Sequence, residues 1–416
     1  MKAHFGVLSY KGTGHLNPLI ALSRQLVARG HRVTFFQSPE FEQKILRHGL
    51  EFSAIRVHES HSSHSKLKPS SRIAAMRNGV NRIAEDMEFF LQELPAAIQG
   101  SGVDTLLIGE ISLAGPTLAE MLRLPYFIVS TSIPHNFGWN APSFIAPTGS
   151  WLDRLQKYAL EVSVLRMKGP VRRRLDQYRS RVGLGPIRKA YKAFPSLAHI
   201  TQVPQCLDLP RATLPVNFFY TAPFVDENTR PSIPFPWDRL DGRPIIYASL
   251  GTTRKNDPAI FHRIAEACSD LDVQLVITLG GRRDPALFVD LPGDPLVVKD
   301  APQLELLKRA EIVITHAGPN TVLETLMQGK PMLALPMVLD QPAVATRLAR
   351  LNAAEVLSIP NRSSQQIRAA LVRLQSDASY RDAAKKIQAQ MQSIHGLKRA
   401  SDIIEAALAR HSSNNT

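Results

Sequence analysis

The sequence predicts an α/β protein of two doubly wound, parallel-sheet (Rossmann-like) domains that face each other across a cleft. Three observations predict it. Each half of the chain alternates short β-branched runs with amphipathic helical stretches, the pattern that βαβ units produce. Between the halves, Pro223, Pro231, Pro234, Pro236 and Pro244 interrupt any regular element, as an interdomain linker does. The 416 residues exceed one compact core and suit two domains of about 200 each. The expected organisation is an N-terminal domain over 1–222, a linker over 223–243, a C-terminal domain over 244–395 and a closing helix within 396–416 that packs back on the first domain.

In the first half, Ala3–Ser9 reads as a strand running into the tight loop Gly12-Thr13-Gly14-His15. A helix is expected over Leu16–Arg29, with Asn17 and Pro18 as its cap and first turn and Gly30 as its stop. Val33–Gln37, Gly49–Arg56, Thr105–Ile108 and Tyr126–Ser130 supply further strands. In the second half, Pro244–Ser249, Val273–Leu279, Leu296–Val298, Ile312–Thr315 and Pro331–Leu335 repeat the scheme. The turns at Gly14-His15, Gly251-Thr252, Gly280-Gly281, Ala301–Gln303, His316–Thr321 and Met337–Gln341 all follow predicted strand C-termini. Open α/β sheets bind ligands at that edge.

Composition narrows the class. No run of about 18 apolar residues exists, and the N-terminus reads as a strand, not a signal peptide. The expected location is cytoplasmic. Cys206 and Cys268 are the only cysteines; they fall in different halves and read as ordinary thiols, which excludes a disulfide framework or a CxxC metal site. The net charge of +14 is unevenly placed: twelve Lys or Arg stand against three acids between Trp151 and Lys192, and Lys66, Lys68, Arg72, Arg77 and Arg82 follow one another without an acid between them. Two readings stay open, a solvated surface or a peripheral contact with an anionic membrane. Nucleic acid is the poorest partner, because the basic stretches lack interleaved aromatics. A monomer is expected.

The densest signal is the run Asp300–Gln341. Glu311–Thr315 is a β-branched strand, His316-Ala317-Gly318-Pro319 a turn, and Asn320–Met327 a helix closed by Gly329. The free N–H groups and positive dipole end of such a helix suit a phosphate. These residues resemble the signature of the UDP-dependent glycosyltransferases of the GT-B fold (family 1), which plant members carry as W-x-P-Q, H-C-G-W-N-S, E and D/E-Q. Here it stands as Asp300-Ala301-Pro302-Gln303, His316-Ala317-Gly318-Pro319-Asn320-Thr321, Glu324 and Asp340-Gln341. The wording is similar to the bacterial macrolide and zeaxanthin glucosyltransferase branch.

The resemblance implies roles. His15 matches the family's catalytic base; an imidazole has the pKa range to take a hydroxyl proton as the oxocarbenium-like anomeric carbon is attacked, and the anomeric carbon inverts. The family's acidic partner falls on Gly109 or Glu110, so Glu110 is the candidate, through a longer arm. Gly14 lies in the same loop. His316 and the N–H groups around Gly318, Asn320 and Thr321 would hold the diphosphate, with Thr252 a further phosphate contact. Glu324 would accept hydrogen bonds from ribose hydroxyls, Ala301 and Gln303 would read the pyrimidine side, and Asp340 and Gln341 would grip a hexose, glucose foremost. Asp300 stands where many relatives stack an aromatic residue on uracil.

No cofactor or metal is expected. The one D-x-D, Asp270-Leu271-Asp272, lies in a helix-to-strand connection at the wrong edge of the sheet, and the HxxH-spaced His58, His61 and His64 read as a flexible acceptor-side loop. The acceptor pocket would draw on residues 60–86, 131–150 and 151–177, whose Met76, Met87, Phe89, Phe90, Phe137, Trp139, Phe144 and Trp151 suit a hydrophobic hydroxyl-bearing molecule such as a carotenoid, flavonoid, polyketide or lipid. The expected activity is hexosyl transfer from a UDP-sugar. The alternatives are an epimerase or hydrolase of the same architecture and a non-catalytic nucleotide-sugar-binding protein. A nicotinamide dehydrogenase is disfavoured because Lys11–Asn17 lacks the third glycine of G-x-G-x-x-G.

Overall fold

The computed structural model describes residues 2–55, 72–134, 169, 171–186, 196–211, 214–251, 258–281, 283–337, 340–358 and 362–415. It contains two all-parallel sheets. The first orders β3 (Glu51–Ala54), β2 (Arg32–Gln37), β1 (His4–Leu8), β4 (Thr105–Gly109), β5 (Tyr126–Ser130), β6 (Ala198–Thr201) and β7 (Phe218–Tyr220) across seven strands. The second orders β10 (Leu296–Val298), β9 (Gln274–Thr278), β8 (Ile245–Ser249), β11 (Ala310–Thr315), β12 (Met332–Ala334) and β13 (Ala354–Val356) across six.

Both sheets are buried on two faces, which is why their strands read as near-continuous apolar runs and not as alternating ones. Every residue of β1, β4, β5, β8 and β9 is buried. In the first sheet Phe5, Val7 and Phe35 pack to one side, while Leu8, Phe36 and Ile108 pack to the other. In the second, Tyr247 and Val313 oppose Ile246 and Ile314. Each such fully buried side chain contributes about 1.5–3 kcal/mol of transfer free energy. Ile133, Val203, Leu207 and Ala222 from the first half join the same core cluster as Tyr247 and Val313, so apolar contact joins the halves.

The strand order reverses twice, between β1 and β4 and between β8 and β11. A crevice opens at such a switch point beyond the strand C-termini. His15 follows β1, Glu110 follows β4, Gly251 follows β8 and His316 follows β11, so the two crevices carry most of the candidate residues.

Several expectations change in detail. β6, β7 and β13 carry only three or four residues each, too few to show a period. The first helix spans Thr13–Ala28 with Gly12 as its N-cap, so Thr13, Gly14 and His15 form its first turn, and Asn17 and Pro18 lie inside it, not at its cap. Asn17 Oδ1 instead accepts a hydrogen bond from Lys44 Nζ at 2.6 Å. The linker residues pack inward at Phe224 and form short 3-10 turns at Glu227–Thr229 and Trp237–Arg239. The closing helix spans Gly396–Asn415, and its Ala400, Ile403, Ile404, Ala407 and Leu408 enter the core of the first half beside Leu19 and Leu22. Its entry is tight, because a Cβ on Gly396 would lie 2.2 Å from the Ala222 carbonyl oxygen. Among the described residues no helix is long and apolar enough to cross a membrane.

Of the described basic residues between 151 and 192, Arg172, Arg173 and Arg181 are exposed, Arg174 is half-buried and one turns inward. Arg179 is buried, with its guanidinium donating to the Gly185 carbonyl at 2.7 Å and lying 2.7 Å from Glu120. Arg174 pairs with Glu88 at 3.2 Å. Residues 60–71 and 135–168, with His61, His64, Phe137, Trp139, Phe144 and Trp151, lie outside the described residues, as does His58. Met87 is buried and Phe89 and Phe90 are half-buried in the core of the first half.

Candidate functional site

The site begins with a proline. Pro18 lacks the N–H that would close the helical bond to Gly14, four residues back, so the Gly14 carbonyl stays available. Asn320 Nδ2, from the second half, donates to it at 2.5 Å. Asn320 Oδ1 in turn accepts from Gln202 Nε2 at 2.8 Å, and the same nitrogen donates to the Thr131 carbonyl at 2.5 Å. Thr131 Oγ1 lies 2.7 Å from His15 Nδ1. One network therefore runs from the helix Pro319–Met327 to the imidazole. The ring of Tyr10 stands edge-on to His15 with centroids 5.7 Å apart.

The hydroxyl of Thr131 is thus one partner of His15 Nδ1. Glu110, which follows β4, has its Oε1 3.7 Å from His199 Nε2, and that nitrogen is hydrogen-bonded with Ser130 Oγ at 2.7 Å.

On the other side of the crevice, His316 is walled in by two glycines. A Cβ on Gly318 would lie 2.5 Å from His316 Nε2, and one on Gly251, whose φ is +81°, would lie 2.6 Å from the same ring. Ala317 adopts φ 62°, a left-handed conformation that costs an L-residue about 1 kcal/mol or more and turns the chain from β11 into the helix Pro319–Met327. Among the described residues His316 Nδ1 is shut off from solvent without a hydrogen-bond partner. Burial lowers the pKa of this histidine, opposed by the Ser249 backbone and the Asp340 charge, so the ring is neutral at pH 7 and can donate only from one nitrogen. Gly318 caps the helix in extended conformation, and buried Thr321 uses its carbonyl to accept from the Thr325 hydroxyl at 2.6 Å.

Replacing Gly318 with alanine, whose backbone angles there suit any residue, displaces the His316 ring and nothing else. If this turn holds a diphosphate, as the sequence resemblance implies, the dissociation constant for UDP should rise about tenfold or more with the melting temperature changed by only a few degrees; calorimetric titration beside a thermal melt checks it, and unaltered affinity would exclude a nucleotide contact for His316.

Further along the same helix Glu324 is buried, with Gln303 Nε2 donating to its Oε2 at 2.6 Å and the Arg230 guanidinium bonded to its Oε1. Ala301 is half-buried against the core of the second half. The Asp300 carboxylate lies 3.1 Å from where a Gly281 Cβ would stand, and a cavity of about 360 Å³ beside it is lined by Gly281, Arg283, Asp284 and Lys299. Asp340 reaches across the crevice, its Oδ2 accepting from Ser132 Oγ at 2.5 Å. Gln341 Oε1 accepts from the Met337 backbone N–H at 2.9 Å. Thr252 lies outside the described residues. Asp270 of the D-x-D pairs with Arg368, away from both crevices.

The structure thus gathers Gly14, His15, Asn320 and Asp340 around Thr131 and Ser132, and sets Gln303 and Glu324 one turn deeper. Sequence reasoning missed Thr131, Ser132, Gln202 and Arg230. The first two follow β5 at its C-terminal edge, the one signal that could have singled them out.

A family model, UDP-glucoronosyl and UDP-glucosyl transferase, matches residues 13–412. The chain belongs to this family. It is 29% identical over 422 residues to the zeaxanthin glucosyltransferase of Pantoea ananas, covering 98% of this chain and 96% of the relative. It is 26% identical over 412 residues to the oleandomycin glycosyltransferase of Streptomyces antibioticus, covering 98% and 92%. Among solved structures, a glycotransferase of kitacinnamycin superposes with TM-score 0.77 at 24% identity, covering 98% of this chain and 99% of that one. The calicheamicin glycosyltransferase CalG4 superposes with TM-score 0.77 at 22% identity, covering 99% of each. The fold is GT-B, and the protein is a glycosyltransferase whose donor is a nucleotide sugar.

Proposed function

We propose that this chain transfers glucose from UDP-glucose to a hydroxyl of a hydrophobic small molecule, with inversion at the anomeric carbon and without a metal ion. The observation that carries the reading is the continuous network Asn320–Gln202–Thr131–His15. It ties a helix N-terminus suited to a diphosphate to an imidazole suited to a base. The zeaxanthin glucosyltransferases among the relatives support glucose as the sugar and a lipophilic acceptor.

The chemistry follows from the residues. With Nδ1–H donating to Thr131 Oγ1, His15 keeps its Nε2 lone pair for the acceptor proton. The acceptor oxygen bonds to the anomeric carbon as the bond to the diphosphate breaks, and negative charge grows on the leaving UDP. The helix N-terminus at Gly318–Thr321 meets that charge with donors that need no rearrangement, and His316 packs beneath the turn that presents them. Asp340 and Gln341 accept from hexose hydroxyls, and a sugar lacking those hydroxyls leaves them unpaired.

The test is UDP release from UDP-glucose in EDTA, with and without a pool of lipophilic hydroxyl acceptors, with the anomeric configuration of the product read by NMR. Acceptor-dependent, EDTA-resistant release giving a β-glucoside is the expected result. Equal release without acceptor would make the enzyme a hydrolase, and loss of release in EDTA would overturn the metal-free reading.

A further inference from the structure

Glu324 presents an anomaly. A buried carboxylate that awaits ribose should have an open oxygen, yet both are engaged. Gln303, which takes Oε2, belongs to the same sequence block. Arg230, which takes Oε1, lies 94 residues upstream in the linker.

The linker holds Arg230 in place. The Asp226 side chain accepts from the Asn228 backbone and caps the turn Glu227–Thr229, while its other oxygen accepts from Arg24 of the first helix at 2.9 Å. The buried Thr229 donates its hydroxyl to the Asp226 carbonyl at 2.7 Å. Glu227 lies 2.9 Å from Lys308 of the second half. The turn is thereby fastened to both halves, and Arg230 leaves it with only 26% of its side chain exposed.

A buried carboxylate discriminates ribose from deoxyribose because the missing hydroxyl leaves it without a partner. At Glu324 that penalty is cancelled in advance. When a deoxynucleotide binds, the Arg230 bond persists and no acceptor is stranded. When a ribonucleotide binds, its hydroxyl shares a carboxylate oxygen that already accepts a hydrogen bond, or replaces a charge-assisted bond of at least equal strength. Either way the two sugars bind more alike.

We propose that Arg230 is a specificity-determining residue that makes the donor site indifferent to the ribose 2′-hydroxyl, so that the enzyme takes 2′-deoxyribonucleoside diphosphate sugars alongside ribonucleoside ones. This rests on the reading of Glu324 as the ribose-facing group of the donor site.

The experiment compares the dissociation constants of UDP and dUDP, which differ only in that hydroxyl, by calorimetric titration of the wild type, Arg230→Met and Arg230→Lys. The wild type should bind the two within about threefold. Arg230→Met, which keeps the stem and strands Glu324 Oε1, should prefer UDP by about tenfold or more, equivalent to about 1.4 kcal/mol. Arg230→Lys should stay close to the wild-type ratio. A wild-type preference already near tenfold, or a ratio that Arg230→Met leaves unchanged, overturns the proposal while both nucleotides still bind; binding of neither overturns the donor-site reading itself. Should Arg230→Met fail to accumulate, the wild-type ratio decides alone.

Discussion

Replacing His15 with alanine should lower kcat for transfer to a hydroxyl acceptor by about 10²–10⁴-fold, the range that a positioned general base supplies. UDP affinity should change by less than about twofold, because the donor-side groups come from the helix Pro319–Met327 and from Glu324, and the network reaches Asn320 through the Gly14 carbonyl, which the substitution keeps. Two companion variants separate the base from its surroundings. Thr131→Val removes the hydroxyl that lies 2.7 Å from Nδ1 with little change in volume; if that hydroxyl accepts from Nδ1–H as the proposed mechanism requires, kcat should fall about tenfold with KM unaltered, through lost tautomer control. Glu110→Gln, against His199, should leave turnover near the wild-type value. Retention of more than about a tenth of wild-type turnover by His15→Ala would take the base role away from it.

The second large effect lies away from the chemistry, where the halves meet. Asp208 is buried and accepts from Arg211 Nε at 2.5 Å, Tyr220 Oη at 2.8 Å, the Leu209 backbone at 2.8 Å and Arg347 Nη2 at 3.0 Å. Arg347 belongs to the helix that begins at Gln341, so this cluster ties that helix to the first half. Two guanidiniums share one carboxylate. Asp208→Ala strands both and should cost about 3–5 kcal/mol of stability, read as a fall in the urea midpoint. Arg347→Met leaves Arg211 and Asp208 as a balanced pair and should cost clearly less. An equal loss from both variants would show that packing, not charge, holds the cluster.

The same cluster sets an acid limit. Burial pushes the Asp208 carboxyl up, but the hydrogen bonds and charges of Arg211, Tyr220 and Arg347 outweigh it and hold the group below the usual carboxylate range. A depressed folded-state pKa stabilises the fold at pH values above the unfolded pKa of about 4. That contribution is lost as the pH falls through the lowered folded value. The interface should therefore survive mild acid.

Much of this was legible in the residues. The apolar runs of β1, β8 and β11 announced two parallel sheets, because a strand buried on both faces leaves an uninterrupted apolar signature. The turn His316–Gly318 and the helix after it were readable from Gly, Pro and the capping pattern, all local chemistry. The first helix misled, because proline favours the first turn over the interior, yet the fold places Pro18 inside the helix. Only the fold shows that its missing N–H serves Asn320 across the crevice. Glu110 was legible by its position after β4, but its proximity to buried His199 was not, because His199 lies 89 residues further along the chain.

The sequence by itself determined the two-sheet architecture, the switch-point turns and the family, since each is written in patterns a few residues long. Tertiary structure alone decided which side chains meet: His15 with Thr131 across 116 positions, Arg230 with Glu324 across 94, Arg347 with Asp208 across 139 and Asn320 with Gly14 across 306. Where such a pair is buried, as at Arg347–Asp208, a polar group removed from water must find a partner or lose its hydrogen bond; which partner is within reach depends on how the two sheets pack, which no local pattern encodes.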